Sequence, residues 1–380
     1  MVNILVYAPD GVGCGHVSRM TNFAKTINTH IKNPYILYIS GYYNVNYFLP
    51  ESPNIDYVKL PYLNKVKMRE NSNFQAIKSN TWSLRKAILE PLFESIHFNY
   101  IFIDFFPFGV KDELISILKK KKKQKGKIIL IQRGIVFSRD QTEEFFKGDE
   151  GINFINSTYD SIICFSDKRI VDLNNEYFDN RLTIPIKYVG YIYSSKNHSI
   201  FRNLPDTSQK KILLNFGGSY KCDGILLSVL EELVQKKSSE YLLTVLLGEY
   251  LKENTRKDVI NKYQKIPYVE LLNFIPKVRL DLLKCNLIIG CGGYNTTVDS
   301  IFNRIPIIVI PKHKDNSLEA VIHSERLAQY SDLKVLSSDN IGKLRDLIKR
   351  TINECPKTPD LSSFGKDQIP EIFDRGDITL

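Results

Sequence analysis

Ile4-Leu5-Val6-Tyr7-Ala8-Pro9-Asp10-Gly11-Val12-Gly13-Cys14-Gly15-His16-Val17-Ser18-Arg19 passes from an apolar run through a glycine-rich turn into a segment of helical period. Apolar residues filling both sides of a short run indicate a strand covered on both faces, the situation of a parallel sheet. Glycines permit the tight turn and let a ligand come close to the backbone. Beyond the turn Val17, Met20, Ala24, Ile27 and Ile31 fall on one helical face. The glycine spacing is not G-x-G-x-x-G, and no acidic residue stands where one is expected after the second strand, which disfavours a nicotinamide enzyme.

Working outward, the same alternation continues through Tyr35–Ile39, Ile55–Leu60, Tyr100–Phe105, Ile128–Gln132, Ser161–Phe165 and Lys187–Ile192. It breaks at Ser194–Gln209, a polar stretch with Pro205 and turn formers, and resumes at Lys211–Phe216, Leu242–Leu247, Val269–Phe274, Leu287–Gly290, Ile305–Ile310 and Lys334–Leu336. The pattern predicts an α/β protein of two Rossmann-like domains, residues 1–200 and 201–380, with the C-terminal tail free to cross back. Loops beyond the C-terminal ends of parallel strands carry ligands, so a cleft between the domains is expected to hold the chemistry.

Composition agrees with a globular chain of this size: 380 residues, 43% hydrophobic and 25% charged. No apolar run approaches the roughly 20 residues of a membrane span, and the N-terminus enters a strand without a signal-like segment, so the expected location is cytoplasmic. Six cysteines without a CxxC pair argue against disulfides and zinc. The net charge of +10 is densest from Lys119 to Lys127. That cluster is either a solvated helix end or a peripheral contact with an anionic membrane. Basic residues are not interleaved with aromatics along one element, so nucleic acid is not expected as a partner.

Three turns carry candidate chemistry. His16 stands near a helix start, where imidazole can exchange a proton at neutral pH or merely cap the helix. Phe216-Gly217-Gly218-Ser219 and Gly290-Cys291-Gly292-Gly293-Tyr294-Asn295-Thr296 each follow a strand. Backbone N–H groups at such a helix start suit a diphosphate, although a plain capped turn reads the same way. Asp299 and Glu319 can accept hydrogen bonds from sugar hydroxyls or simply face solvent.

Taken together, Gly13-Cys14-Gly15-His16-Val17-Ser18-Arg19, Asp104-Phe105-Phe106-Pro107-Phe108-Gly109, Tyr188-Val189-Gly190-Tyr191, Phe216-Gly217-Gly218-Ser219, Gly292-Gly293-Tyr294-Asn295-Thr296 and Glu319…Glu325-Arg326-Leu327-Ala328 resemble one family. It is that of the predicted glycosyltransferases of GT-B fold related to the peptidoglycan N-acetylglucosaminyltransferase. The resemblance, covering about residues 1–341, implies a UDP- or dTDP-sugar donor held by the second domain. Phe274 and Ile275 would meet the base, Gly218, Ser219, Gly293, Asn295 and Thr296 the diphosphate, Asp299 the ribose, and Glu319 the donor sugar. Ala320 departs from the family's Glu-Gln pair. His16 would deprotonate the acceptor, with Asp104 the next candidate base, while Gly13, Gly15, Arg19 and Phe106 would line the acceptor side. The acceptor, whether small molecule, peptide or lipid-linked, stays open. No cofactor or metal is expected, and direct attack opposite the nucleotide would invert the anomeric centre. Two other readings stand beside this one: a GT-B UDP-sugar hydrolase resembling that of the pseudaminic acid pathway, and a non-catalytic sugar-nucleotide-binding protein.

Overall fold

The apolar runs pair into two sheets in which every strand pairing is parallel. A computed structural model describes residues 1–10, 14–49, 51–63, 73–134, 139–194, 209–217, 222–234, 240–249, 251–273, 285–312 and 319–379. The chain divides into two compact units, Met1–Ile192 with Ser362–Leu380, and Tyr193–Leu361.

In the first unit β1 (Val2–Ala8), β2 (Pro34–Ser40), β3 (Ile55–Lys59), β4 (Tyr100–Asp104), β5 (Lys127–Gln132), β6 (Ser161–Cys164) and β7 (Ile186–Tyr188) lie in the order β3-β2-β1-β4-β5-β6-β7. β1 and β4 are buried almost throughout, as expected of central strands covered on both faces. The helices of this unit are α1 (Gly15–His30), α2 (Asn73–Ser95), α3 (Ile115–Lys121), α4 (Arg139–Phe145), α5 (Gly148–Thr158) and α6 (Leu173–Phe178). On α1, Val17, Met20, Ala24 and Ile27 are buried as their spacing predicts, but Arg19 is buried with them.

The second unit orders β8 (Lys210–Asn215), β9 (Tyr241–Leu247), β10 (Val269–Asn273), β11 (Leu287–Gly290), β12 (Ile307–Val309) and β13 (Lys334–Val335) as β10-β9-β8-β11-β12-β13. Its helices are α7 (Asp223–Val234), α8 (Glu253–Tyr263), α9 (Tyr294–Phe302), α10 (Glu319–Leu327) and α11 (Leu344–Thr351). Ile212, Leu214, Val245, Leu287, Ile289 and Ile308 from the central strands pack with Leu226, Val229 and Leu230 of α7 and Leu344 and Ile348 of α11. Both units are therefore Rossmann-like. In each, the chain builds the sheet in one direction and then reverses, between β1 and β4 in the first unit and between β8 and β11 in the second. Such reversal points open a crevice at the carboxyl ends of the strands.

The second unit stops at Leu361, and the last segment, with α12 (Ile369–Ile372), returns to the first. Tyr191 N–H donates to Ser362 O, and Phe364 N–H to Tyr191 O, both at 2.9 Å. Phe364 packs on Phe23 and Phe165, and Phe373 meets Tyr100 edge-on at 4.7 Å. Gly190 has φ +76°, and a Cβ there would lie 2.5 Å from the Ser362 backbone, so only glycine lets the tail cross. The expected linker lies within 195–208, outside the described residues, apart from its ends.

Lys119–Lys127 sits at the end of α3 and the start of β5, at the edge of the sheet opposite the carboxyl ends. Lys120 pairs with Glu94, Lys122 with Asp160 and Lys127 with Asp374. Lys121 turns inward to Ile96 O at 3.0 Å. Much of the charge that suggested an anionic surface is thus locally neutralised.

Candidate functional site

β1 and β4 end side by side, and the groups that follow them meet. Asp104, the last residue of β4, is fully buried, and its Oδ2 lies 2.7 Å from His16 Nδ1 on the first turn of α1. Arg19, one helical turn further on, donates from Nη2 to Asp104 Oδ1 at 2.7 Å and Oδ2 at 2.9 Å. Burial pushes the Asp104 carboxyl up, but Arg19 and His16 together carry it below its ordinary value. The carboxylate therefore holds no proton, and the proton between Asp104 and His16 belongs to Nδ1. Arg19 Nη2, 3.2 Å from that Nδ1, is a neighbour and not a donor to it. Nε2 of His16 is left with its lone pair. Burial lowers the imidazole pKa below 6.5, outweighing the raising effect of Asp104. At neutral pH His16 is an uncharged base with a fixed tautomer.

Arg19 does not line the acceptor side as the sequence predicts. Its side chain is 1% exposed, because a buried carboxylate needs a buried cation. Asp104, at 0% exposure, is likewise shielded from any ligand. Gly15 opens α1, and Gly13 falls outside the described residues.

Phe105 was expected to end the strand; instead β4 stops at Asp104, and Phe105 takes φ +63°. Phe106 N–H donates back to Asp104 O at 2.7 Å, closing a three-residue turn around Phe105. Turns of this hand are rare for non-glycine residues and store roughly 1–3 kcal/mol. The turn brings both rings to the imidazole, with centroids 5.4 Å (Phe105) and 5.9 Å (Phe106) from His16. Phe145 of α4 stacks on Phe105 at 4.9 Å and holds it there. Phe106 therefore stands beside the candidate base.

The reversal point of the second unit is built in a parallel way. Asn215 ends β8, and its side chain bridges two turns: Oδ1 accepts from Gly217 N–H at 3.0 Å, and Nδ2 donates to Thr296 Oγ1 at 3.2 Å on α9. Thr296 keeps its own hydroxyl hydrogen for a further acceptor. The glycines divide into two kinds. A Cβ on Gly290 would meet Asn215 O at 2.5 Å, and one on Gly292, at φ +79°, would meet Ser324 Oγ at 2.9 Å and Val309 Cγ1 at 3.0 Å. These two allow packing. Gly217 and Gly293 instead have no atom of the described residues within 4 Å of the added atom. Gly293 is the N-cap of α9 and, as a glycine, makes no side-chain cap bond. Backbone N–H groups and the positive helix end favour an anion there.

Asn295 occupies the first turn of α9. Asp299 lies a turn later, half-buried, and its Oδ1 accepts from Ser194 N–H at 2.8 Å. Glu319 opens α10, and Ala320 lies against Gly292, its Cβ 3.3 Å from where a Gly292 Cβ would be. One turn on, buried His323 stacks on Tyr294 at 5.7 Å and 8°, docking α10 on the start of α9. Gly218, Ser219, Phe274 and Ile275 lie outside the described residues. Asn215 is not among the residues singled out from the sequence; an Asn directly before a turn at a strand end was the available signal.

Comparison with known proteins bears on this arrangement. Residues 212–357 match the family model of the glycosyltransferase family 28 C-terminal domain. Three solved glycosyltransferases superpose over most of the chain. The kitacinnamycin glycosyltransferase does so with TM-score 0.60 at 10% identity, covering 93% of this chain and 91% of its own. For VinC, solved with dTDP, the values are 0.58, 13%, 93% and 92%. For MurG of Acinetobacter baumannii they are 0.53, 12%, 92% and 91%. The fold is GT-B. No curated protein matches the chain in sequence. A GT-B chain whose second unit matches a glycosyltransferase family domain thus places the start of α9 and its histidine-carboxylate pair at equivalent reversal points of two sheets. Among the described residues no helix is long and apolar enough to cross a membrane.

Proposed function

We propose that the protein transfers a sugar from a UDP- or dTDP-sugar to an acceptor hydroxyl, without a metal and with inversion. The observation that carries this reading is the His16–Asp104 pair of the first unit, with His16 uncharged and fixed in its tautomer, in a chain whose second unit matches the family 28 C-terminal domain. The second unit supplies diphosphate recognition through N–H groups from Gly293 to Thr296 and the Thr296 hydroxyl, and Gly218 and Ser219 are assigned to the same diphosphate. Asp299 serves the ribose, Phe274 and Ile275 the base, and Glu319 the donor sugar. Helix dipole and backbone donors stabilise the charge that builds on the leaving diphosphate.

His16 Nε2 takes the proton of the acceptor hydroxyl as its oxygen attacks the anomeric carbon. The bond to the diphosphate breaks, and its electrons leave with the nucleotide. Asp104 is a positioning residue: it holds Nδ1–H and stabilises the imidazolium, while Arg19 keeps the carboxylate charged. An acceptor hydroxyl, more than water, is the nucleophile favoured by the aromatic rings of Phe105 and Phe106 beside His16.

Titrating UDP, dTDP and UMP calorimetrically in EDTA tests the donor half. Diphosphates are expected to bind at least about tenfold more tightly than UMP, the equivalent of one charge-assisted hydrogen bond. Equal affinities would contradict a diphosphate site. Incubating a UDP-sugar without acceptor separates the hydrolase reading, which requires free sugar to accumulate.

A further inference from the structure

The segment from Asp104 to Glu113 joins β4 to α3 along a strained path. Phe105 (φ +63°), Lys111 (φ +50°) and Asp112 (φ +67°) are non-glycine residues in the left-handed region, and Gly109 lies at φ +72°. Strain of this kind costs roughly 1–3 kcal/mol per residue and persists only where the surroundings over-determine the backbone. At its near end the segment carries the Phe105 and Phe106 rings that meet His16. Gly109 N–H donates to Phe106 O at 2.9 Å and Leu114 N–H to Phe108 O at 3.0 Å, so the rings and the far end belong to one hydrogen-bonded turn.

That far end is gripped at each residue. Lys111 Nζ lies 4.6 Å over the ring of Trp82 on α2, and Asp112 pairs with Lys147 at 2.7 Å. One turn after Trp82, Arg85 donates from Nε to Glu113 Oε2 and from Nη2 to Glu113 Oε1, at 2.7 Å each. Its Nη1 donates to Asp10 Oδ1 at 2.9 Å. Asp10 follows β1 on the way to α1, so one guanidinium ties together the segments that leave β1 and β4. Tyr7 of β1 completes the set: its hydroxyl donates to Glu113 and accepts from Val110 N–H at 3.2 Å. Burial, reinforced by Glu113, pushes the Tyr7 pKa far above its ordinary value, so the hydroxyl keeps its proton. Arg85, Asp10 and Glu113 are all buried. Buried ion pairs add little net stability, and their best-attested use is to fix register.

We propose that Arg85, Glu113 and Tyr7 are positioning residues for the transfer: they hold the strained segment in the arrangement that seats Phe105 and Phe106 against His16 and keeps water from the base. This rests on the transferase reading for the role of His16. The charged groups that act on His16 are Asp104 of β4, Arg19 of α1 and Arg133 beyond β5, whose guanidinium stands 5.7 Å over the Phe105 ring. Burial is the largest influence, and it lowers the imidazole pKa. Releasing the segment admits water to the imidazole, and the pairing with Asp104 then raises its pKa. Losing the Glu113 charge acts through space in the opposite direction, since a removed anion favours the neutral ring. The sign of the change therefore separates positioning from direct electrostatics.

NMR titration of the full chain carrying labelled histidine tests this without an acceptor, the His16 signal being assigned by its loss in His16→Ala. The wild-type midpoint is expected below 6.5. In Glu113→Gln, and in Tyr7→Phe, which keeps the ring and changes no charge, the midpoint should move up toward or past 6.5. Cross-peaks between His16 and the Phe105 and Phe106 rings should weaken in both. Tyr7→Phe decides alone if Glu113→Gln does not fold. Phe373→Ala, which loses the contact with Tyr100 at the opposite end of β4, is the control for destabilisation and should leave the midpoint in place. A midpoint that stays or falls in folded Tyr7→Phe, or one that rises equally in Phe373→Ala, would overturn the proposal. The expected rise in a protein whose wild type does not bind UDP would instead leave the positioning in place and overturn the transferase reading.

Discussion

Asp104 Oδ2 lies 2.7 Å from His16 Nδ1, while Arg19 Nη2 reaches both oxygens of the same carboxylate. The arrangement gives the imidazole a negative partner and yet leaves its pKa below 6.5, because burial disfavours the cation more than Asp104 favours it. Above that depressed pKa the base is competent, and below it His16 is protonated. The acid limb of turnover is therefore expected below pH 6.5. The same shift has a stability counterpart: the unfolded chain binds this proton more readily, so the contribution of neutral His16 is present above pH 6.5 and is lost as pH falls through the folded value. A pH profile of kcat with its limb above 7 would point to another group.

Removing the carboxylate charge separates positioning from proton transfer. Asp104→Asn can present its amide to Nδ1 and reverse the tautomer, so turnover should fall by about 100- to 10,000-fold with UDP affinity unchanged. It also leaves Arg19 buried without its anion, which should lower stability by about 3–5 kcal/mol in a denaturant titration. Loss of stability without loss of turnover in the folded fraction would deny Asp104 its orienting role.

The glycines of the second unit predict opposite phenotypes for neighbours. Gly292→Ala meets Ser324 and Val309 at φ +79° and is expected to destabilise the fold by about 1–3 kcal/mol. Gly293→Ala adds a methyl group that meets no atom of the described residues at the helix N-cap and should cost less than about 1 kcal/mol of stability. Its effect should appear in UDP affinity, because the new methyl stands where the diphosphate approaches. Thermal unfolding and UDP titration on the two variants decide the matter, and an unchanged UDP affinity for Gly293→Ala would move the anion elsewhere.

Asn215 ties the Gly217 turn to Thr296 across the reversal point. Asn215→Ala removes both bonds, and Thr296→Ala removes a proposed ligand donor. Each should weaken UDP by about 1.5–3 kcal/mol, while UMP affinity changes less. Equal losses for UDP and UMP would show that these residues serve the nucleoside and not the diphosphate.

Arg85→Met leaves Asp10 and Glu113 buried without a cation. A loss of about 3–5 kcal/mol is expected in urea unfolding, with no comparable effect from replacing exposed Lys120, paired only with Glu94 at the surface. Similar small losses from both would contradict a supporting network.

Strands and their parallel arrangement were legible because burial on both faces writes itself as short apolar runs; the residues of β11 were read without a shift at either end. The alternation also revealed two Rossmann-like units and left the tail free to cross back, but not where Ser362–Leu380 docks, since Phe364 and Phe373 declare their partners only in three dimensions. His16 and Asp104 were both visible, while their contact was not: the residues are far apart in the chain, and spacing says nothing of strand order. Arg19 was misjudged for the same reason. The resemblance set it on the acceptor side, whereas on α1 it turns inward to the buried carboxylate. The turn at Phe105 could not be foreseen, because an aromatic residue at positive φ runs against local preference and is held by Phe145 and the Asp104 carbonyl.

The most direct test compares wild type and His16→Ala on the same preparations, measuring the UDP dissociation constant and the turnover of a UDP-sugar with an accepted hydroxyl acceptor across pH 6 to 9. The account predicts an unchanged dissociation constant and a turnover lowered by about 100- to 10,000-fold. Near-normal turnover across that range, or a loss of UDP binding that accounts for the whole effect, would contradict His16 as the base acting on the acceptor.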